Sequence, residues 1–227
     1  VTYVYAFDHK HRKPPMSYKD LLGGKGANLA EMTTVLNLPV PPGFTVSTDA
    51  CRDYMHGGWP SSLDAEVTRH VAKLEKMMGR KLGDANDPLL VSVRSGAKFS
   101  MPGMMDTVLN LGLNDASVIG LANVTGDERF AYDSYRRFIA MYARIVLDVD
   151  GDLFEHPLEA AKAKAGTDND ADLDAKALQQ LVKTYLAAVR KATGSSFPQD
   201  PRAQLDGAIE AVFKSWNGAR EIGRAHV

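Results

Sequence analysis

Residues Ser92 to Asp115 read SVRSGAKFSMPGMMDTVLNLGLND, and this stretch is the most informative part of the chain. It begins as a strand, because the apolar and largely β-branched run from Leu89 to Val93 is entered through Pro88. Arg94 follows where the strand should end, and a methionine-rich, glycine-bearing turn comes after it. A guanidinium beside bare backbone N–H groups suits phosphate, since its planar fork makes bidentate contacts with oxyanions. The stretch therefore predicts a strand that leads into a phosphate-binding loop.

A second glycine-rich segment lies upstream, where residues 21–29 read LLGGKGANL. Its glycines flank Lys25 and lead into a predicted helix that ends near Asn37, with Leu29, Met32 and Leu36 spaced as one apolar stripe. A helix N-terminus offers free N–H groups and the positive end of a dipole to an anion. The pattern is not a P-loop, because no Ser or Thr follows the lysine. By itself, the segment is more typical of a turn with a solvated lysine.

Together with PPGFTVST at residues 41–48, these two segments resemble the amino-terminal nucleotide-binding domain of the pyruvate, phosphate dikinase family. The resemblance runs in order from about Val4 to about Arg220. The run GMMDTVLNLG, at residues 103–112, is specific. The related phosphoenolpyruvate synthases share the GGKGANL theme, but we do not expect this form of the loop in them. The resemblance therefore implies a dikinase.

The fold that the resemblance implies is an ATP-grasp fold. In such a fold a first α/β subdomain is followed by an inserted helical subdomain, and a second α/β subdomain closes over the nucleotide. We expect residues 1–115 to form the α/β nucleotide-binding subdomain and residues 116–220 the helical one, with the second α/β subdomain missing. The pattern of elements agrees with this expectation, because strands and helices alternate up to about Leu113 and strand signals then disappear.

Individual elements follow from local patterns. A strand is predicted from Val4 to Phe7, a half-buried one from Phe44 to Thr48, and a helix from Leu63 to Met78. We expect Thr48 or Asp49 to cap a helix through Tyr54. Further helices are predicted over residues 127–149, over residues 173–192, and from Asp200 to about Gly218. The polar run at residues 166–174 lacks the glycine and glutamate of a calcium loop, so a solvated loop and a helix N-cap are preferred.

The resemblance also implies an activity. The family converts ATP, phosphate and pyruvate to AMP, pyrophosphate and phosphoenolpyruvate, with Mg2+, and a histidine on a separate domain carries the phosphoryl group. We expect neither that phosphohistidine domain nor the pyruvate-binding domain in this chain, and we expect the isolated chain to be inactive. The parent is expected to be a cytoplasmic homodimer. No catalytic residue is expected here, because these histidines do not match the carrier motif: His9, His11, His56, His70 and His156.

The resemblance further implies a set of residues that bind ATP or phosphate. In such sites the magnesium carboxylates usually come from the second α/β subdomain, so we expect no metal ligand in this chain. The binding residues that match the family are Lys25, Arg94, Gly103, Met104, Asp106, Thr107 and, less strongly, Arg137.

Several of these residues also have structural interpretations. Arg137 is about equally well explained as a surface arginine of a helix that pairs with Asp133 or Asp127. Arg94 could cap a carboxylate at a strand end. Met104 and its neighbouring methionines could fill gaps in a core. The sequence leaves these alternatives open.

Composition excludes several other classes. The 227 residues are 44% hydrophobic and 24% charged, which is typical of a globular protein. The formal net charge of −1 does not favour nucleic acid or anionic lipid. No apolar run approaches the ~20 residues of a membrane span. The single cysteine, Cys51, cannot form an internal disulfide and fits a reducing compartment, where we expect it to fill a core position.

The last seven residues, EIGRAHV at residues 221–227, do not continue the resemblance. They are also the translation of GAG ATC GGA AGA GCA CAC GTC, which contains a common sequencing-adapter read. We therefore expect this tail to be an artefact that packs poorly, rather than a native terminus.

Two other functions remain open from the sequence alone. One is a catalytically incompetent nucleotide-binding or interaction module. The other is a related dikinase, such as a phosphoenolpyruvate synthase, or one that acts on water or glucan. Sequence downstream of Arg220 would separate these functions, because a carrier histidine and a pyruvate-binding barrel would identify the dikinase.

Overall fold

The computed structural model describes the backbone of residues 1–96 and 107–224, and the side chains of residues 1–96 and 107–216. The described strands are β1 (Val4–Ala6), β2 (Phe44–Val46), β3 (Lys81–Leu82), β4 (Pro88–Leu89), β5 (Val91–Val93) and β6 (Val108–Leu111). The described α-helices are α1 (Lys19–Thr34), α2 (Thr48–Gly57), α3 (Ser61–Met78), α4 (Ser117–Thr125), α5 (Glu128–Val146), α6 (Asp152–Ala165), α7 (Ala175–Thr193) and α8 (Pro201–Arg224). Short 3-10 turns span Pro15–Tyr18 and Asp170–Asp172.

The described residues form two compact units. The first consists of residues 1–79, 95–96 and 212–224, and the second of residues 80–94 and 107–211. The described strands all lie at or before Leu111. From Ser117 onward, the described regular elements are helices. The molecule is therefore a mixed, helix-rich fold with small sheets, which agrees with an α/β part followed by a helical part.

In the first unit, β1 and β2 pair antiparallel, with Tyr5 opposite Thr45. The buried carboxylate of Glu66, on α3, accepts hydrogen bonds of 2.9 Å from the backbone N–H groups of Tyr3 and Val4. These bonds satisfy donors at the start of β1 that would otherwise be buried without partners. Helix α3 is thereby fixed to the edge of the small sheet.

Helix α1 packs by small residues rather than by the predicted stripe. Its buried cluster consists of Leu22, Ala27 and Ala30, whereas Met32 is 37% exposed and Leu36 is 58% exposed. The prediction that Met32 and Leu36 face the core is therefore wrong. The alanines allow the close approach that buries this face, and apolar spacing alone could not reveal which of two faces does so.

Two other local predictions need correction. Helix α2 is capped by Ser47, whose hydroxyl accepts from the backbone N–H of Ala50 at 3.3 Å, rather than by Thr48 or Asp49. The run predicted as one strand up to Val93 is divided, since β4 pairs parallel with β3 and β5 pairs antiparallel with β6.

The core of the second unit lies mainly between α5 and α7. Phe138, Tyr142 and Phe197 form an edge-to-face aromatic group with ring centroids 5.5–5.7 Å apart. An aspartate caps the start of each of α5, α7 and α8, as the sequence predicts. The carboxylates accept hydrogen bonds from backbone N–H groups of the first turn and belong to Asp127, Asp174 and Asp200.

The predicted tail cannot be judged from packing. Helix α8 is described to Arg224, but the side chains of residues 217–227 and the backbone of residues 225–227 lie outside the described residues. The expectation that residues 221–227 pack poorly therefore stays a prediction.

Candidate functional site

A short hairpin brings two of the candidate residues to the same end of a sheet. In the second unit β5 and β6 are antiparallel, with Val93 opposite Val108. The next positions outward from that pair are Arg94 and Thr107. Arg94 is exposed and Thr107 is half-buried. The backbone positions of Arg94 and Thr107 therefore flank the Val93–Val108 pair, where the two strands enter the segment that connects them.

The other end of β6 is held by a buried amide. Gln204, at the start of α8, has no exposed surface. Its Oε1 accepts from the N–H of Gly112 at 3.0 Å, and its Nε2 donates to the carbonyl groups of Leu113 and Pro198 at 2.9 and 2.8 Å. Ser117 also donates to the Gly112 carbonyl at 2.9 Å. These bonds hold the C-terminal end of β6, the strand that begins directly after Thr107.

Three candidate residues fall in the chain between Arg94 and Thr107. Gly103, Met104 and Asp106 lie outside the described residues. Their assignment to the phosphate site stays a prediction.

In the first unit, the glycine-rich segment forms a break inside α1. Gly23 has φ of 71° and ψ of 169°, so a short helical turn ends there and a new one starts at Gly24. Lys25 is exposed in the first turn of this second piece. The predicted arrangement, a glycine turn that opens a helix beside a lysine, is therefore present, although α1 begins at Lys19 rather than at Lys25.

The glycines of this turn are required by close packing. A Cβ atom on Gly23 would lie 1.7 Å from the carbonyl oxygen of Gly96, and one on Gly26 would lie 2.7 Å from Oγ1 of Thr45. Gly96 comes two residues after Arg94 in the chain. Within the first unit, Gly23 of the GGKG segment thus packs against Gly96, the last residue of the VRSG segment.

The structure also identifies residues that sequence reasoning did not select. Ser95 is 1% exposed, and its hydroxyl accepts from the indole N–H of Trp216 at 3.3 Å. The two residues are 121 positions apart. A pair at this separation leaves no periodic signal in a single sequence.

Arg137 takes the structural interpretation that the sequence left open. Its Nε donates to the Asp133 carboxylate at 2.9 Å, and its Nη2 lies 4.0 Å from Asp170. The side chain is still 57% exposed, so it remains accessible to a ligand. Its neighbour Arg136 is buried and contacts Asp133 and Asp170, each at 2.7 Å.

Arginines of α5 bind part of the aspartate-rich loop at residues 166–174. Burial alone would raise the pKa of Asp170, but the hydrogen bond and charge of Arg136, together with the charges of Lys162 and Arg137, outweigh burial and lower it. Arg129 additionally donates to the carbonyl groups of Leu173 and Asp170, each at 2.9 Å. The loop is therefore tied to α5 and is not simply solvated.

The cavity found in the first unit lies away from Lys25. It has a volume of about 100 Å³, and its largely apolar walls include Thr33, Val40, Phe44 and Leu74. Thr33 is eight residues beyond Lys25 on α1, which corresponds to about 12 Å along a helix. We therefore do not assign this cavity to the phosphate site.

Sequence comparisons relate this chain to known proteins. The family described as "Pyruvate phosphate dikinase, AMP/ATP-binding domain" matches residues 19–58 and 55–225. The pyruvate, phosphate dikinase of Rhizobium meliloti (strain 1021) is 51% identical over 227 residues, which cover 99% of this chain and 25% of that protein. The enzyme of Clostridium symbiosum is 49% identical and chloroplastic enzyme 1 of Oryza sativa subsp. japonica is 52% identical, with 97% and 96% of this chain covered.

This chain belongs to the pyruvate phosphate dikinase AMP/ATP-binding domain family.

Membership of this dikinase domain family confirms the resemblance inferred from the glycine and methionine segments. The chain spans about a quarter of the length of the curated relatives that it matches. Within this dikinase-type domain, Lys25 belongs to the first unit, whereas Arg94, Thr107 and Arg137 belong to the second. Among the described side chains, no ion pair involves Lys25 or Arg94.

The magnesium ion that the dikinase family implies has no ligand set among the described residues. Residues 1–96 and 107–216 contain no group of three or more His, Cys, Asp or Glu side chains that could hold a metal ion. Since Mg2+ prefers several oxygen ligands, we derive no step through a metal. In addition, no described helix has the length and apolar character needed to cross a membrane.

Proposed function

We propose that this chain is the ATP-binding region of a pyruvate, phosphate dikinase, and that it holds the nucleotide phosphates through Lys25, Arg94 and Thr107. The observation that carries the proposal is the Gly23–Gly96 contact within the first unit, in which the glycine-rich segment packs on the residues that directly follow Arg94 in the chain. Family membership and about 50% identity to several dikinases support it. Gly103, Met104 and Asp106 complete the proposed set through the loop between Arg94 and Thr107, and Arg137 is a further candidate.

The chemistry proposed for these side chains is binding and charge neutralisation. The parent enzyme would convert ATP, phosphate and pyruvate to AMP, pyrophosphate and phosphoenolpyruvate, and a phosphohistidine on another domain would carry the phosphoryl group. Phosphoryl transfer depends mostly on positioning and on compensation of charge. The bidentate fork of Arg94 would orient the phosphate chain, while the ammonium of Lys25 would supply a point charge beside a helix N-terminus.

The architecture is part of the same proposal. Residues 1–115 would form the first α/β subdomain of an ATP-grasp fold and residues 116–220 its inserted helical subdomain. A second α/β subdomain of the parent would supply the magnesium carboxylates and close over the nucleotide. We further propose that the parent is a cytoplasmic homodimer.

Nuclear magnetic resonance of the isotopically labelled chain tests the proposal directly, because it detects weak binding residue by residue. On titration with ATP at low ionic strength, we expect shifts of the backbone N–H groups of Gly24, Lys25 and Arg94. Pyruvate serves as the negative control, since its site is proposed to lie on another domain. Shifts confined to other parts of the chain, or no shift up to millimolar ATP, would overturn the assignment.

A further inference from the structure

The glycine turn proposed to bind phosphate is shaped from outside by a second piece of backbone. Gly23 has a positive φ and faces the carbonyl oxygen of Gly96, with no room for a side chain between them. A displacement of Gly96 would therefore remove the backbone group that packs against the turn at Gly23. The conformation of Gly23–Gly26 depends on what holds Gly96 in place.

The residue before Gly96 is fixed by a tryptophan. Ser95 is buried, and its hydroxyl oxygen accepts from Nε1 of Trp216 at 3.3 Å. An indole N–H is a donor only, so its partner must supply a lone pair, and the serine hydroxyl does so. The bond holds Ser95, and with it the following peptide, against the second half of α8.

That part of α8 is itself anchored to α2. The ring of Phe213, one turn before Trp216, lies 5.2 Å from Tyr54 and 6.2 Å from Trp59 between ring centroids. The thiol of Cys51 lies 3.9 Å from the carbonyl oxygen of Phe213. The contacts of Phe213 therefore hold the helix turn that carries Trp216.

Helix α2 also contacts the part of α1 that precedes the glycine turn. The hydroxyl of Thr48, the first residue of α2, donates to the carbonyl of Asp20 at 2.5 Å. Asp20 lies in the short helical piece of α1 that precedes Gly23. Helix α2 thus touches the chain before the glycine turn, and it supports Trp216, which holds the segment packed on that turn.

From these contacts we infer that Trp216 is a positioning residue for the phosphate site, which acts through Ser95 and Gly96 on the glycine turn that carries Lys25. The inference rests on the proposed function, because it gives Trp216 a role in ATP affinity without contact between Trp216 and ATP. It assigns to the second half of α8 a task that neither the motifs nor the family description specifies.

Four variants of the 227-residue chain test the inference: Trp216→Phe, Ser95→Ala, the double variant, and Trp59→Phe as the matched control. Trp216→Phe keeps an aromatic ring but removes the N–H donor, and Ser95→Ala removes the acceptor. Trp59→Phe makes the same chemical change on the other tryptophan, which lies against Phe213. Amide spectra are recorded for each variant with and without ATP, and thermal unfolding checks the fold.

We expect Trp216→Phe and Ser95→Ala each to shift the N–H resonances of Gly23, Gly24 and Gly96 and to weaken ATP binding about three- to tenfold. The double variant should be no weaker than either single variant, because both remove the same bond. Trp59→Phe should leave the glycine resonances and the affinity unchanged. These results would distinguish positioning from a general loss of packing.

Other outcomes count against the inference in distinct ways. Unchanged glycine resonances in both single variants would overturn it, as would additive losses of affinity in the double variant. If the unmodified chain shows no response to ATP, the proposed function fails, while the glycine resonances still decide whether Trp216 positions the turn. If Trp216→Phe does not fold, Ser95→Ala provides the same comparison with a smaller change.

Discussion

Two cations of different character carry the proposed phosphate site, and they differ in how replaceable they are. Lys25 is a flexible, strongly hydrated point charge in the first turn of a helix, where water and salt can partly take its place. Arg94 follows the last strand pair of its hairpin, so its backbone position is set by β5 and β6. A planar guanidinium directly after a fixed strand offers two directed hydrogen bonds. Arg94 should therefore matter more than Lys25.

In a full-length dikinase that contains this chain, we expect Arg94→Ala to slow ATP-dependent phosphorylation of the carrier histidine by ~10- to 100-fold. Charged hydrogen bonds contribute roughly 1.5–3 kcal/mol, and this range corresponds to that loss of rate. Lys25→Ala should have a smaller effect. The measurement is single-turnover transfer from labelled ATP.

Arg69→Ala, at an exposed position of α3, is the matched control and should transfer at the normal rate. Normal transfer by Arg94→Ala would remove this arginine from the proposed site.

His11 shows how burial affects a single titratable group. Its ring lies 4.8 Å from the ring of Tyr18 and 4.6 Å from that of His9, measured between centroids. Burial, and to a smaller extent the charge of His9, lower the pKa of His11. The ring of His11 therefore favours the neutral form.

We expect this histidine to make the chain less stable to urea as the pH falls below about 6.5, the ordinary histidine pKa. The unfolded state binds more protons than the folded state between that value and the lowered pKa of His11, so stability rises with pH across this window. His11→Phe should reduce the difference between urea midpoints at pH 5.5 and pH 7.5. His56→Gln, at an exposed position, controls for other histidines. An unchanged difference in His11→Phe would contradict the assignment.

At the level of elements, the joint between β6 and α8 depends on one amide. Gln204→Leu would leave the buried N–H of Gly112 and the carbonyl of Leu113 without their partner. Each such loss costs about 1–3 kcal/mol, so we expect destabilisation of about 2–6 kcal/mol in denaturant unfolding. Gln180→Leu, on the exposed side of α7, is the control and should change stability little. Similar unfolding midpoints for the two variants would show that the hydrogen bonds of Gln204 contribute little to stability.

Elements with strong local signals could be predicted from the sequence, and those set by tertiary contacts could not. Helix α7 and its Gly194 terminus follow from clear apolar spacing and a glycine in the left-handed region. Helix α6 was not predicted, because it contains Pro157 and few buried residues, Phe154 and Leu158. The separation of β4 from β5 depends on which strand each one meets, and this information lies outside the run itself.

The candidate site divides in the same way. Lys25 and Arg94 could be selected because glycines and a strand surround them in the sequence. The position of Arg94 relative to Thr107 depends on the Val93–Val108 strand pair, and the Ser95–Trp216 bond joins distant positions, so neither could be predicted from local spacing. Arg136 was passed over for Arg137, because adjacent arginines on a helix do not reveal which one is buried.

At the level of the whole molecule, two opposing properties decide what the isolated chain can do. It retains Lys25 and Arg94, whose charges favour ATP. Its described residues, however, contain no metal-binding group of three or more side chains, and the proposed ATP-grasp site requires a second α/β subdomain. Several phosphate charges would then face only two cations in salt, which is insufficient for tight binding.

We therefore expect the 227-residue chain to show no dikinase turnover and only weak binding of ATP. Titration calorimetry with ATP, with and without magnesium, provides the measurement. Magnesium should add little to the affinity, because the carboxylates that would hold it are proposed to lie elsewhere in the parent. The double variant Lys25→Ala/Arg94→Ala should abolish any residual binding. Tight, magnesium-dependent binding by the unmodified chain would show that the site or the boundary between subdomains is misplaced.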